Sequence, residues 1–237
     1  MENTKIIIYD GSFNGFLTVI FKAFEERLGI ADIRRNNDAQ KRFFTETETV
    51  FTQMDKAGRV WNGIRHKNNT ALKNIYFSFL SEIKGVELLL YKYICALYDR
   101  PLMGSSDNME TDLFKVQQYA EMVAKEKHRI ETGAEFKISR DGVYFSTIAP
   151  LYDVLPLVSK YYRLKFPNKE FILYDLKRKY AIHYNLQHIE IVSMELSPEQ
   201  YKGSLAHTSI KSLINHKLFP SGKRSSITSY LGEKTAV

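Results

Sequence analysis

Apolar residues open the chain as a run and then fall into a helical rhythm. Ile6-Ile7-Ile8-Tyr9 predicts a short buried strand and Asp10-Gly11-Ser12 a turn. Phe13, Phe16, Leu17, Ile20, Phe21, Phe24 and Leu28 then recur at the three-and-four spacing of one helix face. Gly29 marks its stop, and Arg34-Arg35-Asn36-Asn37-Asp38 reads as an exposed polar loop. Residues 45–69 are largely polar, although Val50, Phe51, Met54, Val60, Trp61 and Ile64 suffice to dock a helix or two. The pattern sharpens into two helices over 71–80 and 86–98 that meet near Gly85, the second closed by Arg100-Pro101. A further helix over about 111–132 turns Leu113, Val116, Ala120, Val123 and Ala124 inward and ends at Gly133 as a cap.

The alternation changes after Gly133. Residues 136–139 and 143–147 flank Arg140-Asp141-Gly142, and Asp-Gly between two such runs is a strong hairpin signal. Residues 150–166 read as a helix, and 171–175, 180–184 and 188–194 as successive short strands. Connections that short require antiparallel neighbours. The expected fold is therefore α+β: a helical layer, mostly from the first half, packed on an antiparallel sheet from the second half that the N-terminal strand joins. No repeat or Gly/Ser/Pro linker interrupts it, so 1–196 is expected to be a single domain, with 197–237 a basic, partly ordered C-terminal extension of it.

Composition narrows the function classes. With 44% hydrophobic and 26% charged residues the chain can bury a core. Its 15 Tyr and 15 Phe imply an interior rich in rings, half of them carrying a polar handle. Cys95 is the only cysteine and sits in an apolar stretch, so it reads as a buried, inert thiol. No intrachain disulfide, iron–sulfur cluster or cysteine-rich zinc site can form. The apolar run at Ile6 is too short for a secretory leader, so a cytoplasmic protein is expected. The most apolar stretch, 83–98, is broken by Lys84, Glu87 and Lys92, which predicts no membrane span. The formal net charge of +7 points to a polyanion such as DNA as partner. Much of that surplus falls after residue 196, where Lys202, Lys211, Lys217, Lys223, Arg224 and Lys234 outnumber Glu199 and Glu233.

Three clusters could carry chemistry. Asp10, Gly11 and Ser12 lie where a strand hands over to a helix, whose free N–H groups can hold an anion or be capped by the same side chains. Glu126, His128 and Arg129 near one helix end combine an acid, an imidazole and a fixed cation, a set suited to acid–base work, to gripping phosphate, or simply to the helix dipole. Lys177-Arg178-Lys179 puts three cations at a hairpin tip between Tyr174 and Tyr180, either contacting phosphate or merely solvated. His183 and His188 could face one another but lack a matched third ligand, so no metal is expected, and no cofactor. No P-loop, dinucleotide fingerprint, nucleophile elbow or paired-histidine metalloprotease motif is present.

Tyr9-Asp10-Gly11-Ser12-Phe13, Lys56-Ala57-x-Arg59-Val60, Ser81-Glu82, Glu126-x-His128-Arg129, Ile148-Ala149-Pro150 and Tyr174-Asp175-x-Lys177-Arg178-x-Tyr180 follow one another in a fixed order. In this the chain, from about residue 5 to 185, resembles a bacterial family of unknown function described as DNA metabolism proteins. The resemblance implies a companion of a radical-SAM protein that modifies or repairs DNA, and some relatives are fused to a uracil-DNA glycosylase. Any iron–sulfur chemistry would then belong to the partner. The chain departs from the family pattern at Tyr161-Tyr162 and Lys165, where relatives carry His-Phe and an arginine, and in its C-terminal ending. Two enzyme-free readings and one enzymatic reading follow. The first is an accessory nucleic-acid-binding protein of a DNA repair or modification system, using Arg129, Lys165, Lys177, Arg178, Lys223 and Arg224. The others are an enzyme on damaged or modified nucleotides, with Asp10, Glu126 and His128 as its catalytic set, and a partner-docking scaffold without DNA contact.

Overall fold

A computed structural model describes residues 4–36, 46–100, 109–194, 196 and 209–215. Lys223 and Arg224 lie outside the described residues, as do most positions of the expected C-terminal extension. The chain divides into two compact units, Met1–Val123 and Ala124–Val237, where the sequence had suggested one domain to residue 196. No linker marks the division, because it falls inside one continuous helix.

In the first unit β1 (Thr4–Tyr9), α1 (Phe13–Glu25) and β2 (Gly29–Arg35) form a strand–helix–strand unit. β2 returns parallel to β1, and β3 (Thr47–Thr49) pairs in parallel on its other side, giving the order β2-β1-β3. Parallel neighbours need a crossover long enough to hold a helix, and α1 supplies it. α1 is buried continuously from Phe13 to Ile20. α2 (Met54–Lys67), α3 (Asn69–Phe79) and α4 (Val86–Leu97) complete the layer. Phe13 sits among Trp61, Tyr76 and Phe79 at ring-centroid separations of 5.9, 4.9 and 5.0 Å, in edge-on geometry.

Two expectations are corrected here. β1 does not extend the sheet of the second half but is the centre of a separate parallel sheet. Arg34 and Arg35 belong to β2 and not to an exposed loop. Arg35 Nε donates to Glu87 at 2.8 Å, and the same carboxylate accepts from Tyr9 OH at 3.0 Å. An acid remote in sequence neutralises Arg35, so the local pattern could not announce the strand.

α5 (Met109–Gly133) runs across the division. Val116, Ala120 and Val123 are buried as expected, but Leu113 is exposed, and Gly133 ends the helix without a left-handed backbone. The second unit is built on a six-stranded sheet of β4 (Lys137–Ile138), β5 (Tyr144–Ile148), β6 (Phe171–Asp175), β7 (Tyr180–Tyr184), β8 (Ile189–Met194) and β9 (Ile214–Asn215), in that order. All pairs are antiparallel except β5 and β6, which are parallel. The expectation of a wholly antiparallel sheet fails at this pair because α6 (Leu155–Lys165) makes a full crossover between them. β6 and β7 are buried at every position, since both faces of the sheet are covered. Val143, Phe145, Ile172, Tyr174, Ala181, Val192, Met194 and Ile210 form the core on one face. On the other, Tyr162 of α6 packs on Phe171 and Phe136. Among the described residues no helix is long and apolar enough to cross a membrane.

Candidate nucleic-acid interface

At the β1–α1 junction the chain closes its own helix start. Ser12 Oγ accepts from Gly15 N–H at 2.8 Å, while Asp10 Oδ1 accepts from Ser12 N–H at 2.9 Å and Ser12 Oγ at 2.8 Å. Asp10 Oδ2 accepts from Thr52 Oγ1 at 2.8 Å. A Cβ on Gly15 would stand 2.2 Å from Asp10 Oδ1, so only glycine lets the carboxylate come this close. Gly11 turns the chain here at φ +83°. Asp10 and Ser12 thus form the turn and the cap of α1.

Three motifs remote in sequence meet around the segment that enters α6. Glu126, buried on α5, takes both Arg129 Nε (2.8 Å) and Nη2 (2.7 Å) and also accepts from Leu151 N–H at 2.6 Å. The Arg129 guanidinium holds the Glu126 carboxyl below its ordinary range, and the Leu151 N–H adds to the effect against the opposing influence of burial. From the β6–β7 turn, Arg178 pairs with Asp175 at 2.9 Å and donates to the carbonyls of Pro150 (3.4 Å) and Leu151 (3.2 Å). Lys177 Nζ reaches Leu151 O at 3.0 Å, and Tyr180 OH donates to Asp153. These contacts tie down Pro150, Leu151 and Asp153, and α6 begins at Leu155 after its N-cap Val154 and not at Pro150.

The candidate residues separate by exposure. The Arg178 side chain is 5% exposed and its partner Asp175 0%, so this cation belongs to the interior. Arg129 keeps 59% of its side chain exposed, and His128, Lys177 and Lys165 are exposed. Lys165 Nζ lies 5.6 Å from the Tyr161 ring and 5.8 Å from the Tyr162 ring. Asp10 belongs to the first unit, Glu126 and His128 to the second. His183 Nε2 meets Glu170 at 2.8 Å, and His188 meets Glu190, the residue opposite His183 in the β7–β8 register.

The feature that sequence reading missed is the sorting of charge in the second unit. Among its described residues every Lys and Arg except Lys127 and Arg178 is exposed. Glu126, Glu131, Asp153 and Asp175 are buried, Asp141, Glu170 and Glu190 half-buried, and Glu135 alone of these acids is exposed. Local ion pairs and tertiary hydrogen bonds together hold the acids inward, so the described surface of this unit is cationic.

A family model described as a domain of unknown function, DUF4130, matches residues 84–221, more than half of the chain. The chain belongs to the DUF4130 family. The DUF4130 segment takes in α4 to β9 and with them the whole polar cluster around 150–153, whereas the Asp10 and Lys56–Arg59 motifs precede it. No similar protein was found among curated proteins.

Proposed function

We propose that this DUF4130 protein is an accessory nucleic-acid-binding protein in DNA repair or modification, whose second unit grips phosphates. The reading is carried by the charge sorting: exposed lysines and arginines surround a unit whose acids are largely turned inward. Neutralising phosphates with such cations releases counterions, which is the main source of sequence-independent affinity for nucleic acid. Glu126 already accepts three hydrogen bonds, two from Arg129 and one from Leu151 N–H, which suits a positioning role better than that of a proton acceptor. Any radical chemistry on the bound DNA would come from a radical-SAM companion, since Cys95 is the only cysteine of the chain and is buried.

Titration into labelled single- and double-stranded DNA, followed by fluorescence anisotropy at two salt concentrations, tests this. Binding that falls steeply with salt is expected. The double variant Lys165→Gln/Lys177→Gln should lower the salt slope on duplex by about 0.9 for each phosphate that is no longer neutralised. Absence of binding to either form at low salt would overturn the reading in favour of a protein-docking scaffold.

A further inference from the structure

A cavity of about 420 Å³ opens in the second unit where β4 parts from β5. The two strands pair only through Lys137 and Ile138, opposite Phe145 and Tyr144. Residues on the α5 side, Gly133 to Glu135, then line one wall while 145–149 line the other. The backbone directions along β5 follow from its bonds to the opposite neighbour. Tyr144 N–H donates to Glu170 O and Leu176 N–H to Ile148 O, both at 2.9 Å. In a parallel ladder that parity turns the N–H and C=O of Tyr144, Ser146 and Ile148 towards β6, and those of Phe145 and Thr147 away from it. Phe145 meets Lys137. Thr147 has no strand residue opposite it on that side, so its N–H and C=O face the cavity.

Two further observations mark the cavity as polar by construction. Ser146 lines it, is 3% exposed, and its Oγ has no hydrogen-bond partner among the described residues. A buried hydroxyl left unpaired is costly unless something else completes it. Arg129 and Lys137, both exposed, stand in the same lining beside Glu135; two Arg129 nitrogens are engaged by Glu126, and the two cations outnumber the one acid of the lining.

We propose that this cavity binds a single nucleotide, its base read at the pairing edge by the Thr147 backbone and its phosphate held by Arg129 and Lys137. Every nucleobase carries a donor and an acceptor side by side on that edge, which is what one outward-facing strand residue offers in return. An added peptide strand fits less well. Phe145 is paired and β5 ends at Ile148, so Thr147 is the one outward-facing strand residue left for a partner strand. The volume lies within the range of about 300–1,000 Å³ typical of small-ligand pockets. Guanidinium and ammonium groups at the mouth match a phosphate. The choice of a nucleotide rests on the nucleic-acid reading above; the nucleotide is either free or one residue of a strand.

The test is a titration of the ¹⁵N-labelled full chain with each deoxynucleoside 5′-monophosphate, with inorganic phosphate, and with a short single-stranded oligonucleotide. At least one monophosphate should shift the Thr147 amide saturably. Lys137→Gln should weaken that binding about tenfold, and Ser146→Ala about threefold with an unchanged or raised melting midpoint, since it deletes an unpaired hydroxyl. Inorganic phosphate binding as tightly as every monophosphate, with Thr147 unmoved, would overturn the nucleotide site and leave a plain anion site. An oligonucleotide that binds by anisotropy without moving Thr147 would overturn the cavity inference and leave the DNA reading standing. A monophosphate that binds while no DNA does would uphold the cavity and overturn that reading.

Discussion

Arg178 and Lys177 are neighbours in a triplet of cations, yet they do opposite things. The Arg178 guanidinium is engaged by Asp175 and by the carbonyls of Pro150 and Leu151, while the Lys177 ammonium reaches out from an exposed side chain to Leu151 O. Removing one partner of a buried ion pair leaves the other charged and unpaired. Arg178→Ala should therefore cost about 3–5 kcal/mol in urea unfolding of the full chain. Lys177→Ala should stay within about 0.5 kcal/mol. Equal, small effects would show that the pair is not buried in solution. The triplet was legible as a cationic turn. Which of its members faces inward was not, because beyond the neighbouring Asp175 that depends on the 150–151 carbonyls, which come from another part of the chain.

At the scale of elements, local signals worked where the determinant is local. Asp141-Gly142 with Gly142 at φ +77° turns the β4–β5 hairpin, and the continuous apolar runs of β6 and β7 became strands at the expected residues. They failed where the determinant is a partner. β2 carries only Ile33 as a buried residue and resembles a loop until β1 pairs with it. The β1–α1 junction offers a quantitative check: a methyl on Gly15 would strike Asp10 Oδ1 and crowd Thr52 Oγ1 at 2.9 Å. Gly15→Ala should destabilise the chain by about 1–3 kcal/mol despite the better helix propensity of alanine, as measured by urea denaturation. A stabilised variant would mean that the carboxylate moves aside freely.

At the largest scale, the inward acids that leave the described surface of the second unit cationic also make stability depend on pH. Burial alone would raise the carboxyl of Asp141, but bonds from Ser139 Oγ, Lys211 N–H and Ser209 Oγ outweigh it and hold it at about 2. Glu170 is likewise lowered by Lys211 and His183 against the opposing influence of burial, and Glu126 by Arg129. A carboxyl with its folded pKa below its unfolded value contributes fully above the unfolded value and loses that contribution as pH falls through the folded one. The melting midpoint should accordingly fall as pH drops from about 4 to 2, followed by circular dichroism, and Asp141→Asn should flatten part of that fall. The sequence by itself determined the periodic elements, the lone buried cysteine and the sign of the net charge, because each depends on residue types and short-range spacing. Only the tertiary structure decided the parallel pairings, the split within α5, the fate of each arginine and the open edge at Thr147. Those turn on groups far apart in sequence, such as Glu87 for Arg35 and the Pro150 and Leu151 carbonyls for Arg178, which meet to satisfy a charge or a backbone hydrogen bond only once the chain has folded.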